Sequence, residues 1–458
     1  MKLGFDFPAN PRKTFLYELE ENWYLPLLAQ RKGLPLQATK RSNFGEYSMA
    51  VNYLTSVLEE AAAVNRVAVY NIDHMAQLLF SGSDAPALLD RALGGKMSDM
   101  KVGACKYTLL LNERGGVQDD MIVMRLSDTE YIAVINAGHD ITASKDGKEI
   151  IADIDRIMSV KRDGEDVVAK DISDQLVKVD VQGPLSFKLL KSIYGDAVLK
   201  NRNNPEKNMG FFTFNEFERD GHKYYISRTG YTNRWGWELY IPAAKAAEDF
   251  KAIVSKALDL DGLLVGLGGR DENRMSAGPH GLPLMGSEYD PDHSPLNAPL
   301  FAAGVDMDKE SFIGKEALQK ELDSNPTKAL LILVSEGIAS NRGVYLDGKR
   351  LGTVTSSINS PNLSLEMRQA IGSSRKNVNE PNGTAAIGLA WLYANPFPVD
   401  GEGKPITEHD GQAIRVPVQF FREDGGGKPM GSPVLGYLTM EGITPATAPK
   451  PLKNIENL

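Results

Sequence analysis

Cysteine is almost absent from this chain: Cys105 stands alone among 458 residues. That excludes an internal disulfide and any cysteine-based zinc centre. Long apolar runs are missing too, since no segment approaches the ~18–20 consecutive apolar residues that cross a bilayer. The N-terminal MKLGFDFPANPRK lacks the apolar core of a signal peptide, which makes a cytoplasmic protein the expectation. There is no basic excess. A net charge of −9 and a pI near 5.4 argue against nucleic acid as a general partner, because duplex binding needs a concentrated basic surface. A local basic pocket for a small anion stays open. The six histidines (His74, His139, His222, His280, His293 and His409) form no HxxxH or HxH pair, so no sequence-local metal site is expected. No G-x-S-x-G elbow is present, which weakens a hydrolase reading.

What is present is an ordinary globular composition, 42% apolar and 24% charged, enough for a large core. The length suggests about two or three domains. Helical periodicity marks LYELEENWYLPLLAQR and NYLTSVLEEAAAVNR within residues 1–65. Beyond Val67, strand-like runs (VAVYNIDH, AQLLFSG, YIAVINA, LVKVDVQGP) alternate with the helices DAPALLDRAL, SFKLLKSIYG and AAKAAEDFKAIVSKAL. That order predicts α+β layers rather than a doubly wound sheet. GLGGR (266–270) resembles part of a dinucleotide fingerprint, yet it follows a helix and a short loop, so it reads as a turn into the helix RDENRMSAG. From about residue 321, short Gly-punctuated strands predict an antiparallel barrel or sandwich. The polar stretch 363–383 reads as an inserted surface excursion, and the proline-rich end as an extended tail. The domain expectation is therefore 1–320, a barrel domain over 321–445, and a tail over 446–458.

The most informative segment is YTLLLNERGGVQDDMIVMR (107–125). Two apolar runs flank a glycine turn, the signature of a β-hairpin. Asp119 and Asp120 sit at the mouth of its second strand. Alternation lets one carboxylate face solvent while the other faces inward, where apolar surroundings raise its pKa. A solvated hairpin end is the plainer reading. A second dense segment, SRTGYTNRWGWELY (227–240), carries Arg228, Tyr231, Arg234, Trp235, Trp237 and Glu238. Aromatic faces there can sandwich a flat heterocycle, and Glu238 can accept paired hydrogen bonds from an N–H/NH2 edge; an aromatic core corner explains the same residues. Arg270 and Arg274, four apart on one helical face, suit a carboxylate or phosphate, or ion pairs with neighbouring acids. Cys105 reads as a small core residue in a strand.

Taken in order, YNIDHM (70–75), the hairpin, VQGP (181–184), SRTGYTNRWGWEL (227–239), GLGGRDENR (266–274), SFIGKEAL (311–318) and GVYLDGKRLGTVTSSINSPNLS (343–364) resemble the glycine cleavage T-protein (aminomethyltransferase) family over most of residues 40–395. The resemblance implies a three-domain, cloverleaf-like α+β fold around a central folate channel, with a C-terminal antiparallel β-barrel. It implies tetrahydrofolate as cosubstrate. Motif by motif, Asp120 takes the place of the catalytic aspartate and Asn136 that of an asparagine near the reacting centre. Tyr107, Tyr231 and Arg270 match folate-pocket positions, Glu238 matches the glutamate that grips the pterin, and Met75 lies in the loop closing the site.

Departures from the family point to the donor. The acid that follows the helix arginine is Ser276, and in SPLNAPLFA (294–302) a glutamate has become Asn297 and a tryptophan Ala302. These changes speak against a lipoylated carrier protein as donor. They favour a small O-, N- or S-methylated metabolite whose methyl passes to tetrahydrofolate. The retained Asp120 pulls towards the version that forms 5,10-methylene-tetrahydrofolate, and a non-catalytic folate-binding protein is a further alternative.

Overall fold

A computed structural model describes residues 11–145, 148–278, 280–296, 298–324, 328–401, 406–410 and 412–440, with side chains of 143–150 left aside. The predicted tail lies outside these residues. Two antiparallel-rich sheets and a closed barrel organise the chain. The five-stranded sheet runs in the order Val168–Asp171, Ala76–Ser81, Glu130–Ile135, Val117–Arg125, Cys105–Leu111. Its hairpin pairs Leu110 with Asp119 and Leu109 with Asp120. The turn between the strands needs glycine: Gly115 has φ 83, and a Cβ on Gly116 would sit 2.0 Å from the Pro291 carbonyl.

The six-stranded sheet orders Phe214–Arg219, His222–Ser227, Gly236–Pro242, Leu176–Gln182, Ala68–Asn71 and Leu263–Leu264. Strict alternation in LVKVDVQ and GWELYIP splits it into two faces. Val177, Val179, Val181, Trp237, Leu239 and Ile241 pack against Phe187, Leu190, Phe250 and Ile253 of the helices Ser186–Tyr194 and Ala246–Asp259. Each such large side chain contributes about 1.5–3 kcal/mol by leaving water. Lys178, Asp180, Glu238 and Tyr240 share the opposite face. Between the two sheets, Cys105, Met124, Ile132 and Val134 meet Leu176, Phe214 and Tyr240. Cys105 is thus core, and burial pushes its thiol far up, away from nucleophilic use.

The C-terminal strands close a barrel, Ala329–Ser335, Ala386–Leu392, Lys349–Asn359, Gly343–Leu346, Val416–Glu423, Pro429–Thr439, with every pairing antiparallel. No helix among the described residues is long and apolar enough to cross a membrane.

Three local expectations are corrected. The 363–383 stretch is mostly exposed as expected but is not a detached excursion: Leu363, Met367, Ile371 and Val378 are buried with Ile332, Val334 and Trp391. Its helix Leu365–Ala370 begins at Ser364, whose hydroxyl caps the Met367 N–H at 3.1 Å. Buried Arg368 donates to the carbonyls of Ser360 at 2.8 Å and Glu380 at 2.6 Å. Leu363, Met367 and Ile371 recur every four positions in a polar background, so average polarity hid the stripe. Second, a short strand, Leu263–Leu264, does precede GLGGR and pairs in parallel with Ala68–Asn71. The helix that follows spans Leu267–Met275. A Cβ at Gly266 would come 2.4 Å from the Val51 carbonyl, so close backbone packing, not phosphate, explains that glycine. Third, residues 40–52 form a hairpin, Lys40–Phe44 with Tyr47–Asn52, and the following helix shrinks to Val57–Ala62.

Candidate active site

The two sheets and the loops after residue 280 enclose a cavity of about 290 Å³, near the lower end for small-molecule sites. Met75, Tyr107, Asp120, Asn136, Tyr231, Glu238 and Arg270 all line it. These residues come from both sheets, from loops at their strand ends (Met75, Asn136, Tyr231) and from the helix Leu267–Met275, so the fold brings together side chains up to 195 positions apart.

Asp120 is the hub of one wall. Its Oδ2 accepts from the Tyr107 hydroxyl at 3.1 Å, two residues along the same sheet face. The Asn136 amide donates to Asp120 Oδ1 at 2.8 Å and to its backbone carbonyl at 2.9 Å. Burial, the largest influence, raises the Asp120 carboxyl above its usual range, while the Tyr107 and Asn136 hydrogen bonds pull it back. A carboxyl poised this way can hold or deliver a proton, or face a developing positive charge.

The plainer reading of the pair as a solvated hairpin end is corrected: alternation leaves Asp120 half-buried at the cavity wall and turns Asp119 inward. Asp119 is fully buried, because both faces of this strand are covered. Its oxygens accept from the Asn136 backbone N–H at 3.0 Å and side-chain amide at 2.8 Å.

Glu238 forms the opposite wall. Its Oε2 accepts from the Thr229 hydroxyl at 3.0 Å and from buried Lys178 at 3.3 Å. Asp180 lies directly across the strand pair, and burial, then the Glu238 charge, lifts it to about 8. Arg270 stacks 4.9 Å from the Tyr231 ring centre, whose hydroxyl donates to the Pro283 carbonyl. Arg270 Nε is buried with no hydrogen-bond partner among the described residues. Leu282, Leu284, Met285, Leu300 and Ala303 make the rest largely apolar.

Other sequence candidates take structural roles. Arg274 is consumed internally by Asp271 at 2.6 Å, Glu288 at 3.0 Å and Ser356 at 2.9 Å, tying the helix to the barrel. Trp237 is fully buried core, and Trp235 packs under Arg228 at 3.8 Å, so neither sandwiches a ligand. Of the departures meant to mark a donor corner, the two described ones do not line the cavity. Ala302 is exposed, the Ser276 hydroxyl turns back to the Asn273 carbonyl at 3.3 Å, and Asn297 lies outside the described residues. Asn233, Thr229, Phe211 and Phe212 line the cavity unanticipated. Phe212 with φ 57 and Asn233 with φ 51 are held in the left-handed region, a strain common at functional sites. Lys178 and Asp180 were legible as polar positions alternating within an apolar strand.

Fold and cavity together define a class: an α+β protein whose two sheets pinch an acid-lined cavity beside a C-terminal barrel. A family model described as the GCVT N-terminal domain matches residues 36–309. An aminomethyltransferase of Cutibacterium acnes is 33% identical over 343 residues, covering 74% of this chain and 87% of the relative. One from Exiguobacterium sibiricum is 32% identical over 387 residues, covering 84% and 94%. The crystal structure of glycine cleavage system aminomethyltransferase T from Bartonella henselae superposes with TM-score 0.69 at 22% identity, covering 96% of this chain and 99% of that one, a likeness of fold. The chain belongs to the glycine cleavage T-protein (aminomethyltransferase) family, and so to the enzymes that transfer one-carbon groups.

Proposed function

We propose that the cavity binds tetrahydrofolate and that the chain moves a one-carbon unit onto it, taking a methyl group from a small O-, N- or S-methylated compound. The observation that carries this reading is a hydrogen-bonded carboxyl, Asp120, facing a charge-paired carboxylate, Glu238, across one cavity. The residues fit a pterin. Glu238 is oriented by Thr229 and Lys178 to accept from an N–H/NH2 edge, and the unpaired Arg270 Nε offers a donor. Asp120 then sits where the accepting amine and donor carbon meet. It orients the amine, stabilises positive charge as the nitrogen–methyl bond forms and the methyl–heteroatom bond breaks, and carries the amine's proton to the leaving heteroatom. Holding both reactants in contact supplies much of the remaining rate. The apolar wall of Leu284, Met285 and Leu300 suits a methyl group and excludes water.

A second reading, aminomethyl transfer giving 5,10-methylene-tetrahydrofolate, is favoured by the intact Asp120–Asn136 contact and gains because Ser276 and Ala302 lie off the cavity wall. A lipoylated carrier is its donor. Calorimetric titration with (6S)-tetrahydrofolate, wild type beside Glu238→Ala, tests the site: micromolar binding that collapses in the variant supports it, and no binding in either protein removes it. Product analysis then separates the donors, 5-methyl against 5,10-methylene folate.

A further inference from the structure

Behind Asp120, on the covered face of the same strand, lies a cluster that the proposed reaction does not touch. Asp119 and His139 are 0% and 2% exposed, and Asp153, first residue of the helix Asp153–Met158, is 0% exposed. Ligand atoms of the three lie within 4.8 Å of one another, although the sequence spreads them over 34 positions. The imidazole approaches both acids, which also contact each other: Nε2 is 3.9 Å from Asp119 and Nδ1 is 3.6 Å from Asp153. Its two nitrogens therefore address different carboxylates, an arrangement that suits one cation between two anions better than one metal ion shared by all three.

The backbone builds this placement. The His139 N–H returns to the Asn136 carbonyl at 3.3 Å, and the Asp153 N–H donates to the His139 carbonyl at 2.9 Å. Gln118 fixes Asp153 Oδ1 from the neighbouring strand position at 3.1 Å. Asn136, which opens that tight turn, is the residue that grips both Asp119 and Asp120.

We propose that His139 is a positioning residue for Asp120: as a buried cation it holds Asp119 ionised, Asp119 fixes Asn136 through both of its oxygens, and Asn136 sets the carboxyl of Asp120. The inference rests on the role given to Asp120 above. Both Asp119 oxygens accept hydrogen bonds from Asn136, which favours the ionised form against its surroundings. Burial, the largest influence, pushes Asp119 well up, and Asp153 and Asp120 reinforce that; His139 opposes it. At His139 itself burial opposes the charge, yet Asp119, Asp153 and Asp120 outweigh it and lift the ring to about 9. Beyond them, the loop residue Glu46 faces Gly138 and is paired with Arg12, which also holds Asp140.

The test uses His139→Gln in the full chain, read by 13C titration of the Asp120 carboxyl without any folate. Loss of the cation leaves two anions uncompensated, so the Asp120 midpoint rises by about one pH unit. Turnover falls by about 30-fold or more while tetrahydrofolate affinity stays within about threefold, a kcat effect rather than a KM effect. Asp153→Asn, which removes only one supporting anion, brings the alkaline limb of kcat down from about 9. Should His139→Gln fail to fold, 15N ring shifts of His139 in the wild type decide: an imidazolium at pH 7 supports the proposal, a neutral ring overturns it. An unmoved Asp120 midpoint, or a stoichiometric metal ion bound to the purified wild type, also overturns it. A shifted midpoint in a protein that never binds tetrahydrofolate sinks the folate reading and leaves the positioning intact.

Discussion

Two regions of this molecule bury a pair of carboxylates, and they solve the problem oppositely. Asp119 and Asp120 are neighbours along one strand, so alternation sends them to opposite faces of the sheet. Each then finds its own environment, and Asn136 bridges them. Asp180 and Glu238 are neighbours across two strands, so they share one face and one environment. There a single buried lysine, 3.3 Å from Glu238, supports one charge, and the other acid drifts up to about 8. Adjacency along a strand separates like charges; adjacency across strands forces one of them to keep its proton.

The sharpest way to break this comparison is to remove the lysine. Lys178→Met strips the counter-charge from a buried pair, and a loss of about 3–5 kcal/mol is expected, measured by urea unfolding; Lys178→Met with Glu238→Gln together recovers most of it. On the other sheet, Asp120→Asn should keep folate affinity and lose about 10²–10⁴-fold in turnover. Equal turnover in variant and wild type would remove the assigned role. Smaller is Glu238→Ala, which should weaken tetrahydrofolate by about 1–3 kcal/mol in calorimetry. The smallest effect concerns pH. Asp180 has a folded pKa raised to about 8, above its unfolded value, so its contribution is fully present below about pH 4 and is lost as pH rises through 8. Asp180→Asn should therefore leave Tm unchanged near pH 4 and raise it by about 2 °C or more at pH 8.5. A uniform shift at both pH values would show that Asp180 is held by packing rather than by charge.

Much of the site was legible because its residues carry chemistry that strands seldom waste. The acids of the hairpin and the density around Glu238 stood out, and a family resemblance gave them roles. The donor side was less legible: the Ser276 hydroxyl turns back on its helix end and Ala302 is exposed, so neither lines the cavity, whereas their neighbours Leu300 and Ala303 do. Average polarity likewise hid the buried stripe Leu363, Met367, Ile371 in a segment that packs on the barrel.

The sequence by itself determined the alternation in LVKVDVQ and GWELYIP, hence which residues face the core and which the cavity, because side-chain direction in a strand follows from position alone. It also determined the glycine turn of the hairpin and the absence of disulfide or cysteine-metal support. Only the tertiary structure decided that Asp119 is buried rather than wet, that His139 and Asp153 close around it, and that Arg270 is left with an unpaired donor while Arg274 is used up. Those outcomes depend on what covers a face and on which distant segments meet, and such contacts are set by the packing of whole sheets and helices rather than by any local run of residues.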